Sequence, residues 1–428
     1  MREMKDSGIE WIGEIPKEWE ICSTKRFFRH TKTIVGKDFN SYDRLALTMN
    51  GVIKRNKDDS DGLQPEKFDT YQILHENEMV FKLIDLANVK TSRVGLSPYT
   101  GIVSPAYLVL TNKSKDNRFY YYYFMSMYYN EIFNNIGDNG VRSSLNAQQL
   151  LSVPIVDVPT ETQHRIADYL DDKCGKIDRY IEQQKQVIEK LKAYKQSVIT
   201  EAVTKGLDPT VPMKDSGVEW IGMIPESWVV CRLRNIGKPQ NGLSKGGEFF
   251  GHGYPFISYG DIYRNYSLPM SVNGLAETTE EERKQYSVKK GDIFFTRTSE
   301  TIEEVGLSCV CENDIDNATF AGFVIRVRPF NDDLLTAFAK YYFRSNHHRI
   351  YLSKEMNLVT RASLGQDLLK SMPVLIPPKE EQQQIADYLD KKCFSIDSAV
   401  KEKQTLIEKL TEYKKSLIYE VVTGKKEV

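Results

Sequence analysis

The feature that most constrains the fold is a long amphipathic helix that the sequence contains twice. Residues 166–204 and 385–423 both begin with IADYLD and are related by a constant offset of 219 positions. In each copy, apolar residues recur at alternating steps of three and four, which is a heptad pattern. These positions are Ile177, Ile181, Ile188, Leu191, Val198 and Ala202 in the first copy, and Ile396, Val400, Ile407, Leu410, Leu417 and Val421 in the second.

Polar residues interrupt the apolar seam at matching places, Gln184 and Lys195 in the first copy and Lys403 and Lys414 in the second. A helix of this length extends for about 58 Å. Its narrow apolar stripe would remain in water if the helix were isolated, so the sequence predicts that the two copies pair with each other. Two ordinary bundle helices are the alternative, and the length and the repeated register argue against it.

The repeat extends beyond the helices. MKDSGIEWIG at residues 4–13 returns as MKDSGVEWIG at 213–222, and RSSL at 142–145 matches RASL at 361–364. A shorter match relates GLS at 95–97 to GLS at 306–308. Between these matched segments the two halves differ freely in sequence. The halves therefore share their terminal segments and long helices, and each has its own sequence in the region between them, which we call its middle.

Each middle reads as an α+β domain of roughly 155 residues. Short runs of β-forming residues, separated by Gly, Pro, Asn and Asp, predict strands at 78–82, 101–110, 153–158, 291–297, 321–327 and 372–376. Length and aromatic spacing predict helices at 118–133 and 333–352. The predicted domains are a first recognition-type domain at 1–158, a helix at 159–206, a second domain at 207–377 and a second helix at 378–428.

The linker between the first helix and the second domain decides how the helices pair. Residues 205–212 contain Gly206, Pro209 and Pro212, which end a helix abruptly. Parallel pairing would require the second domain to extend back along the helix for about 58 Å. The sequence therefore predicts an antiparallel coiled coil with one domain at each end, a pseudo-twofold repeat, and the N-terminal strip beside the end of the second helix.

Composition excludes some classes of protein. The chain is 27% charged with a formal net charge of −1, so it is not a general polycation, although a local basic groove remains compatible with DNA binding. The N-terminus is polar and resembles no signal peptide, and no apolar run has membrane length, so a cytoplasmic protein without membrane contact is expected. The six cysteines lack C-x-x-C spacing, which predicts reduced thiols and no metal site.

Catalytic motifs are missing from the sequence. It has no N-P-P-[FY] methyltransferase signature, no G-x-x-x-x-G-K-[ST] phosphate loop and no H-E-x-x-H zinc motif. No nucleophile is placed with a general base. The chain alone is therefore expected to be catalytically inert.

With this organisation, the chain resembles the specificity subunit of type I restriction–modification systems over essentially its whole length. The resemblance is carried by the duplicated strip DSGIEWIGEIP and DSGVEWIGMIP, by GLSPYTGIVSPAYLVL at 95–110 and GDIFFTRTSETIEEVGLS at 291–308, and by the pattern PxExQxxIADYL at 159–170 and 378–389. Each motif alone is weak, whereas their ordered duplication is specific.

The resemblance implies a non-catalytic DNA reader. Each domain would be a target-recognition domain for one half of a bipartite asymmetric site in double-stranded DNA, and the paired helices would fix the spacer between the halves. Two methyltransferase subunits and motor–nuclease subunits would be the partners. S-adenosylmethionine, ATP and Mg are expected on those partners, and no cofactor is expected on this chain. Two related domains on one face of a duplex should meet half-sites about 10 bp apart, with different sequences because the middles differ.

DNA-contacting residues are expected in the polar loops of the unlike middles, because Arg, Lys, Asn and Gln read base edges while Ser, Thr and Tyr mostly hold phosphate. The candidates are Lys82, Lys90, Ser92 and Arg93 in the first half, and Tyr259, Arg264, Arg297, Thr298 and Ser299 in the second. The repeat-matched Arg142 and Arg361 suit a common role such as phosphate clamping, and the neighbouring candidates are Asn139, Ser143 and Thr360. For each residue the alternative is a solvated surface side chain.

Aromatic residues favour packing over ligand contact. The cluster at 120–124, with Tyr128 and Tyr129, could stack on bases, but its helical spacing and its match to 341–343 favour the core. Four tryptophans are expected to anchor the N-terminal strips, namely Trp11, Trp19, Trp220 and Trp228. The pair His347 and His348 is expected at the surface.

Two other functions compete with DNA reading. A coiled-coil adaptor that binds proteins would explain the helices but not the divergent loops on a shared frame. A fused restriction nuclease or methyltransferase would need a carboxylate cluster or a cofactor loop, and none stands out. Catalysis by the purified chain would support the enzyme, and absence of sequence-selective DNA binding by the assembled complex would support the adaptor.

Overall fold

The computed structural model divides into two units, and the division falls within both long helices. It describes residues 2–57, 67–84, 86, 92–112, 116–136, 144–299, 301, 304–355 and 362–428. The first unit consists of Met1–Gln184 and Gln404–Val428, and the second of Lys185–Lys403. Each unit therefore contains one segment of each long helix.

The first unit mixes short strands with helices. Its strands are β1 (Met4–Asp6), β2 (Glu14–Pro16), β3 (Glu20–Ser23), β4 (Phe28–Thr31), β5 (Arg44–Thr48), β6 (Gly51–Arg55), β7 (Gln72–Leu74), β8 (Met79–Phe81), β9 (Val94–Leu96), β10 (Gly101–Val103), β11 (Leu108–Asn112) and β12 (Pro154–Asp157). Its helices are α1 (Arg118–Tyr129), α2 (Ile132–Ile136), α3 (Ala147–Ser152) and the first part of α4 (Thr160–Lys205).

The main sheet of the first unit has the order β4-β11-β8-β9 and is antiparallel throughout. A second sheet, β6-β5-β10-β7, contains a parallel pairing between β5 and β10. The core is rich in aromatic side chains, and Trp19, Tyr120, Tyr123 and Phe124 are at most 1% exposed. Burial of these large rings confirms that the aromatic cluster is core and not a stacking surface.

The second unit repeats this plan. Its strands are β13 (Met213–Asp215), β14 (Met223–Pro225), β15 (Val229–Arg232), β16 (Gly237–Asn241), β17 (Phe250–Ile257), β18 (Leu275–Ala276), β19 (Ile293–Thr296), β20 (Thr298–Ser299), β21 (Ser308–Val310), β22 (Thr319–Phe320), β23 (Val324–Pro329), β24 (Ala362–Ser363) and β25 (Pro373–Ile376). Its helices are α5 (Leu233–Ile236), α6 (Tyr259–Arg264), α7 (Glu280–Gln285), α8 (Thr336–Tyr342), α9 (Asn346–Glu355), α10 (Gln366–Ser371) and the first part of α11 (Lys379–Val422).

The main sheet of the second unit has the order β16-β23-β19-β21, which matches the main sheet of the first unit strand for strand. The smaller sheet β18-β17-β22 also contains one parallel pairing, between β17 and β22. Trp228 is fully buried in the second core, as Trp19 is in the first. The α+β class and the internal repeat predicted from the sequence are confirmed.

The helical segments pair antiparallel within each unit. In the first unit, Leu417 and Ile418 of α11 share a core with Cys174 of α4, while Lys414 contacts Asp178, so the α11 residue number falls as the α4 number rises. In the second unit, Lys195 of α4 contacts Asp397 of α11. The apolar seam positions are all buried or half-buried. Within each unit, the predicted antiparallel pairing is therefore confirmed.

The N-terminal strip is fixed to the end of α11, as predicted. The carbonyl oxygen of Ile12 accepts hydrogen bonds from the Tyr419 hydroxyl at 3.2 Å and from the Lys425 ammonium at 2.8 Å. Beyond α11, Gly424 has φ +74°, and a Cβ there would meet Pro16. A glycine in the left-handed region ends the helix without steric cost, and it lets the chain turn against the strip.

Several local expectations are corrected by the structure. The helix expected at 118–133 breaks into α1 and α2 at Asn130 and Glu131, where Glu131 has φ +56°, and the helix expected at 333–352 breaks into α8 and α9. The run 101–110 contains two strands, not one. All six cysteines lie in the described ranges and are free thiols, as predicted.

The repeat between 95–97 and 306–308 is not a structural equivalence. Leu96 pairs with Met79, whereas the carbonyl oxygen of Leu307 accepts a hydrogen bond from the Thr296 amide. In the main sheets Phe81 pairs with Val94 and Phe295 pairs with Ser308, so the structure makes Val94 equivalent to Ser308. The sequence match instead aligns Ser97 with Ser308, which is three residues away from Val94. Strand register, which the neighbouring β-strands set, overrides a three-residue identity.

His348 is buried, so the expected surface position is wrong. Its side chain is 4% exposed and packs edge-on against Tyr342 with a ring-centroid distance of 4.5 Å. Nδ1 lies 3.1 Å from the Ser345 hydroxyl. Burial lowers the pKa of His348 to about 3, so the imidazole is neutral in the folded protein.

In the part of the chain that the structure describes, no helix combines the length and the apolar character needed to cross a membrane.

Candidate nucleic-acid interface

Loops of the second unit meet at one end of its main sheet. Asn241 is paired with Ile325, and Thr296 with Val324, so the residues that follow β16 and β19 lie at the same end as those that precede β23. Cross-loop bonds join them, because the Gly242 amide donates to the Val324 carbonyl at 3.1 Å. We call this end of the second unit, formed by residues 242–244, 297–299, 321–323 and 362–363, the second loop edge.

Three predicted DNA-contacting residues form part of the second loop edge. Thr298 and Ser299 are the strand β20, which pairs with Ser363 and Ala362 of β24. The amide of Leu364 donates to the Arg297 carbonyl at 2.7 Å, which closes this pairing. The structure therefore brings 297–299 beside the segment that follows Thr360 and Arg361, two candidates that themselves lie outside the described residues.

Glu304 organises the polar groups of the second loop edge. Its carbonyl oxygen accepts hydrogen bonds from the Thr296 hydroxyl at 2.6 Å and from the Tyr259 hydroxyl at 3.3 Å. Its carboxylate accepts from the Ser299 hydroxyl. Burial raises the pKa of Tyr259, so this candidate stays protonated and donates. Sequence reasoning missed Glu304, whose only signal was its position inside the run 291–308.

The two arginine candidates of this unit differ in exposure. Arg264, at the end of α6, is exposed, and its Nε donates to the Gly260 carbonyl at 3.2 Å. Arg297 is half-buried, and its guanidinium donates to the Gly322 carbonyl at 3.3 Å. A guanidinium has five N–H donors, so one backbone bond fixes its position and leaves donors for a further partner.

The first unit is built in the same way. The Leu145 amide donates to the Leu83 carbonyl at 2.9 Å, and Ile84 forms a bridge with Ser144. These bonds repeat those of Leu364 and Ser363, which lie 219 positions later. Residues 82–84 are therefore equivalent to 296–298, and Lys82 lies on this first loop edge, formed by 82–84 and 144–145, where its side chain is half-buried.

Arg93 supports the first loop edge from within, and Ser92 is buried next to it in sequence. Their side chains are 3% and 2% exposed. The Arg93 guanidinium donates to the carbonyl oxygens of Lys82, at 3.3 Å, and Ile84, at 3.0 Å. The Ser92 hydroxyl donates to the Val94 carbonyl at 2.8 Å. The two Arg93 contacts brace the backbone of the first loop edge, and neither side chain is presented at the surface.

The other candidates of the first half cannot be placed. Lys90, Asn139, Arg142 and Ser143 lie outside the residues that the structure describes. Ser143 directly precedes Ser144 in the sequence, Arg142 and Asn139 lie two and five positions before it, and Ser144 itself lies at the first loop edge.

Within the described ranges, no group of three or more His, Cys, Asp and Glu side chains is arranged to hold a metal ion.

Comparison with known protein families gives two matches in this chain. The family described as the type I restriction modification DNA specificity domain matches residues 16–193 and matches again at 225–410. The two matches together cover most of the chain, and one falls on each half of the internal repeat.

Individual relatives agree with the family match. The chain is 26% identical over 460 aligned residues to the putative type I restriction enzyme MjaX specificity subunit of Methanocaldococcus jannaschii. The alignment covers 97% of this chain and 95% of that protein. It is 24% identical over 284 residues to the type I restriction enzyme EcoKI specificity subunit of Escherichia coli K12, covering 64% of this chain and 58% of that protein.

The fold is similar to that of a solved structure described as "Structural basis underlying complex assembly and conformational transition of the type I R-M system". The TM-score is 0.71 at 14% sequence identity, over 96% of this chain and 99% of the other. The likeness of fold therefore extends over both repeats.

Proposed function

This chain belongs to the family of type I restriction–modification DNA specificity domains, a family of non-catalytic recognition subunits, and we propose that it reads a bipartite, asymmetric DNA site with one half-site for each unit. Two family matches in one chain support the proposal of two readers. The proposal assigns no catalytic step to this chain.

One observation carries the proposal: the two loop edges share a backbone frame and differ in side chains. Leu83 and Arg297 accept the equivalent backbone bond, from Leu145 and Leu364. The residues around that bond are Lys-Leu-Ile at 82–84 and Thr-Arg-Thr at 296–298. Leu83 and Thr296 are buried, so the side chains that reach the surface are Lys82 and Ile84 in the first unit and Arg297 and Thr298 in the second. Base edges are read by side chains, while backbone and phosphate contacts set position. A constant frame with variable side chains suits two readers of different sequences.

In the second unit, Arg264 and Arg297 have the strongest chemistry for base contact, because an arginine can bond bidentately to a guanine edge. The Thr298 hydroxyl is suited to donate to phosphate or to bases. The hydroxyls of Tyr259 and Ser299 donate to Glu304, so they would accept a hydrogen bond from a base or exchange the bond to Glu304 for one to DNA. In the first unit, Lys82 is the candidate that the structure describes at the loop edge. We leave the buried Ser92 and Arg93 out of the proposed interface.

The repeat-matched Arg142 and Arg361 are proposed as phosphate contacts, with Lys90, Asn139, Ser143 and Thr360 as further candidates. Phosphate contacts would serve both half-sites without regard to sequence, which suits residues that the repeat shares.

The partners follow from the proposed function. Double-stranded DNA is the ligand, two methyltransferase subunits and motor–nuclease subunits supply the chemistry, and S-adenosylmethionine, ATP and Mg bind to those partners. The paired helices set the spacer between half-sites. The location we propose for the complex is the cytoplasm.

The test is sequence-resolved mapping of methylated adenines after co-expression of this chain with a type I methyltransferase subunit. The expected result is methylation confined to one split motif with a fixed gap. Arg297→Ala should relax one half of that motif and leave the other half unchanged. A stable complex that methylates no defined motif would overturn the proposal in favour of a protein-binding adaptor. Steady methylation or cleavage by the purified chain alone would favour a fused enzyme.

A further inference from the structure

Phe323 is an exposed aromatic residue at the tip of the tight turn between β22 and β23. Its side chain is 64% exposed, although the residues on either side of the turn are buried, with Phe320 and Val324 at 0%. The turn is closed by the Val324 amide, which donates to the Ala321 carbonyl at 3.0 Å. A large apolar side chain is thus held out of an adjacent core.

The backbone that carries Phe323 is fixed on several sides. The Arg297 amide donates to the Phe323 carbonyl at 2.9 Å, and the Arg297 guanidinium donates to the Gly322 carbonyl. The Ala321 amide donates to the Ile257 carbonyl at 3.0 Å. Position 322 is packed so closely that a Cβ there would lie 2.2 Å from the Ser244 hydroxyl oxygen. Because the backbone is already ordered, placing the ring against a partner costs little conformational entropy.

Phe323 belongs to the second loop edge, where Arg297, Thr298 and Ser299 are polar and half-buried, while the apolar Leu243 and Ala321 are buried. Arg297, Thr298 and Ser299 lie on the chain that is bonded to its turn. An apolar ring beside hydrogen-bonding groups is the combination that distinguishes thymine in the major groove, where thymine displays both an acceptor oxygen and a C5-methyl group.

The first unit has a small side chain at the equivalent place. Leu108 pairs with Phe81 in the first unit as Ile325 pairs with Phe295 in the second, so Leu108 and Ile325 are equivalent. Two positions before them, the first unit has Ala106 and the second has Phe323. The aromatic ring is therefore individual to the second unit, as a residue that reads one half-site must be.

We propose that Phe323 is a specificity-determining residue that packs against the C5-methyl group of a thymine in the second half-site, beside a base edge bonded by Arg297. The inference rests on the proposed DNA-reading function and adds to it a defined base and contact. Phenylalanine is one of the side chains that make such apolar contacts with thymine methyl groups.

The experiment uses the complex of the full chain with its methyltransferase subunits and duplexes that contain the mapped motif. Each thymine of the motif is replaced in turn by deoxyuridine, which removes only the methyl group, and equilibrium binding is measured. For the unmodified chain, one replacement should weaken binding about fourfold, the value of one buried carbon group. With Phe323→Ala, thymine and deoxyuridine should bind equally at that position, and Phe323→Leu should retain part of the preference.

Phe330 provides a matched control. It is also 64% exposed, but it follows the other end of the same strand β23, away from the second loop edge. Phe330→Ala should keep the preference for thymine in full.

Two results would overturn the inference: no thymine preference in the unmodified chain, or a preference that survives Phe323→Ala. A surviving preference together with a uniform loss of affinity would indicate a ring that wedges between base pairs. Failure of the DNA-reading function is separate from these, because it would appear earlier as the absence of any methylated motif.

Discussion

The ammonium group of Lys195 lies 2.6 Å from the carboxylate of Asp397 within the second unit, and the residues 219 positions away repeat this contact in the first unit, where Lys414 lies 2.6 Å from Asp178. The lysine side chains are 17% and 20% exposed, whereas the aspartates are more than half exposed. Two of the three lysines that interrupt the apolar seam, Lys195 and Lys414, thus each meet an acid on the opposing helical segment.

Removing this acid should destabilise the unit that contains it. Asp397→Asn should lower the free energy of unfolding by about 0.5 to 1 kcal/mol, because the pair is partly exposed to water. A double-mutant cycle with Lys195→Met, followed by urea unfolding, measures the coupling energy directly. Asp178→Asn should behave alike. The exposed pair of Lys192 and Glu189 on α4 is the control, with a coupling energy nearer zero. Equal coupling at the control and at the seam would contradict this prediction.

A second repeated contact ties a short helix to a long one. The Tyr122 hydroxyl donates to Asp171 at 2.7 Å, and the Tyr341 hydroxyl donates to Asp390 at the same distance. Hydrogen bonds to charged groups contribute roughly 1.5 to 3 kcal/mol to the free energy of unfolding. Because these acids are partly exposed, we expect removal of the bond to lower that free energy by an amount near the lower value. Tyr122→Phe and Tyr341→Phe should each shift the urea midpoint, whereas Tyr180→Phe, at an exposed position of α4, should not.

Acid should destabilise the second unit through His348. Burial lowers its pKa to about 3, while the unfolded chain has a value near 6.5. The unfolded state therefore binds the additional proton between these values, so the free energy of unfolding falls as pH falls from about 6.5 toward 3. The full loss is roughly 5 kcal/mol for the pKa difference involved.

The measurement is the free energy of unfolding against pH for the unmodified chain and for His348→Phe. The variant should show a shallower slope in that window, since it removes the titrating group while keeping a ring against Tyr342. His252→Gln, at an exposed histidine, is the matched control. An unchanged slope in His348→Phe would show that other groups cause the acid sensitivity.

Periodicity and repetition predicted the frame of this protein well. The heptad seam identified both long helices, because a stripe of buried side chains leaves a regular signal. The short linker at 205–212 predicted their antiparallel pairing. The aromatic cluster was assigned to the core for the same reason.

Local identities and isolated side chains were less informative. The GLS match aligned two strands with an error of three residues. The register of a strand depends on the strands beside it, and a short sequence motif carries no information about them. Nothing in the pair His347 and His348 signalled that the second histidine is buried. Ser92 and Arg93 looked like loop residues, yet both are buried, and the hydrogen bonds of Arg93 to backbone carbonyls hold the first loop edge from inside. Glu304 and Phe323 emerged only from tertiary contacts.

The proposed spacer role makes a prediction about length. One heptad added to α4 and one to α11, at the boundaries of the two units, should lengthen the gap in the methylated motif by about 3 bp, since seven residues rise about 10.5 Å and each base pair about 3.4 Å. A heptad added to α4 alone should break the apolar seam and reduce formation of the complex with the methyltransferase subunits. Mapping of the methylated motif measures the result of each insertion. An unchanged gap after matched insertion would contradict the spacer role.

The first core has a consequence for synthesis on the ribosome. Leu417, Ile418, Val421 and Val422 are buried in that core together with Ile12 and Trp19, yet roughly 220 residues of the other unit are translated before them. At a translation rate of about 5 to 20 residues per second, the segment of α11 that completes the first unit is synthesised on the order of ten to forty seconds after the rest of that unit. During that interval its apolar groove is open, which makes the half-finished chain a natural client for chaperones.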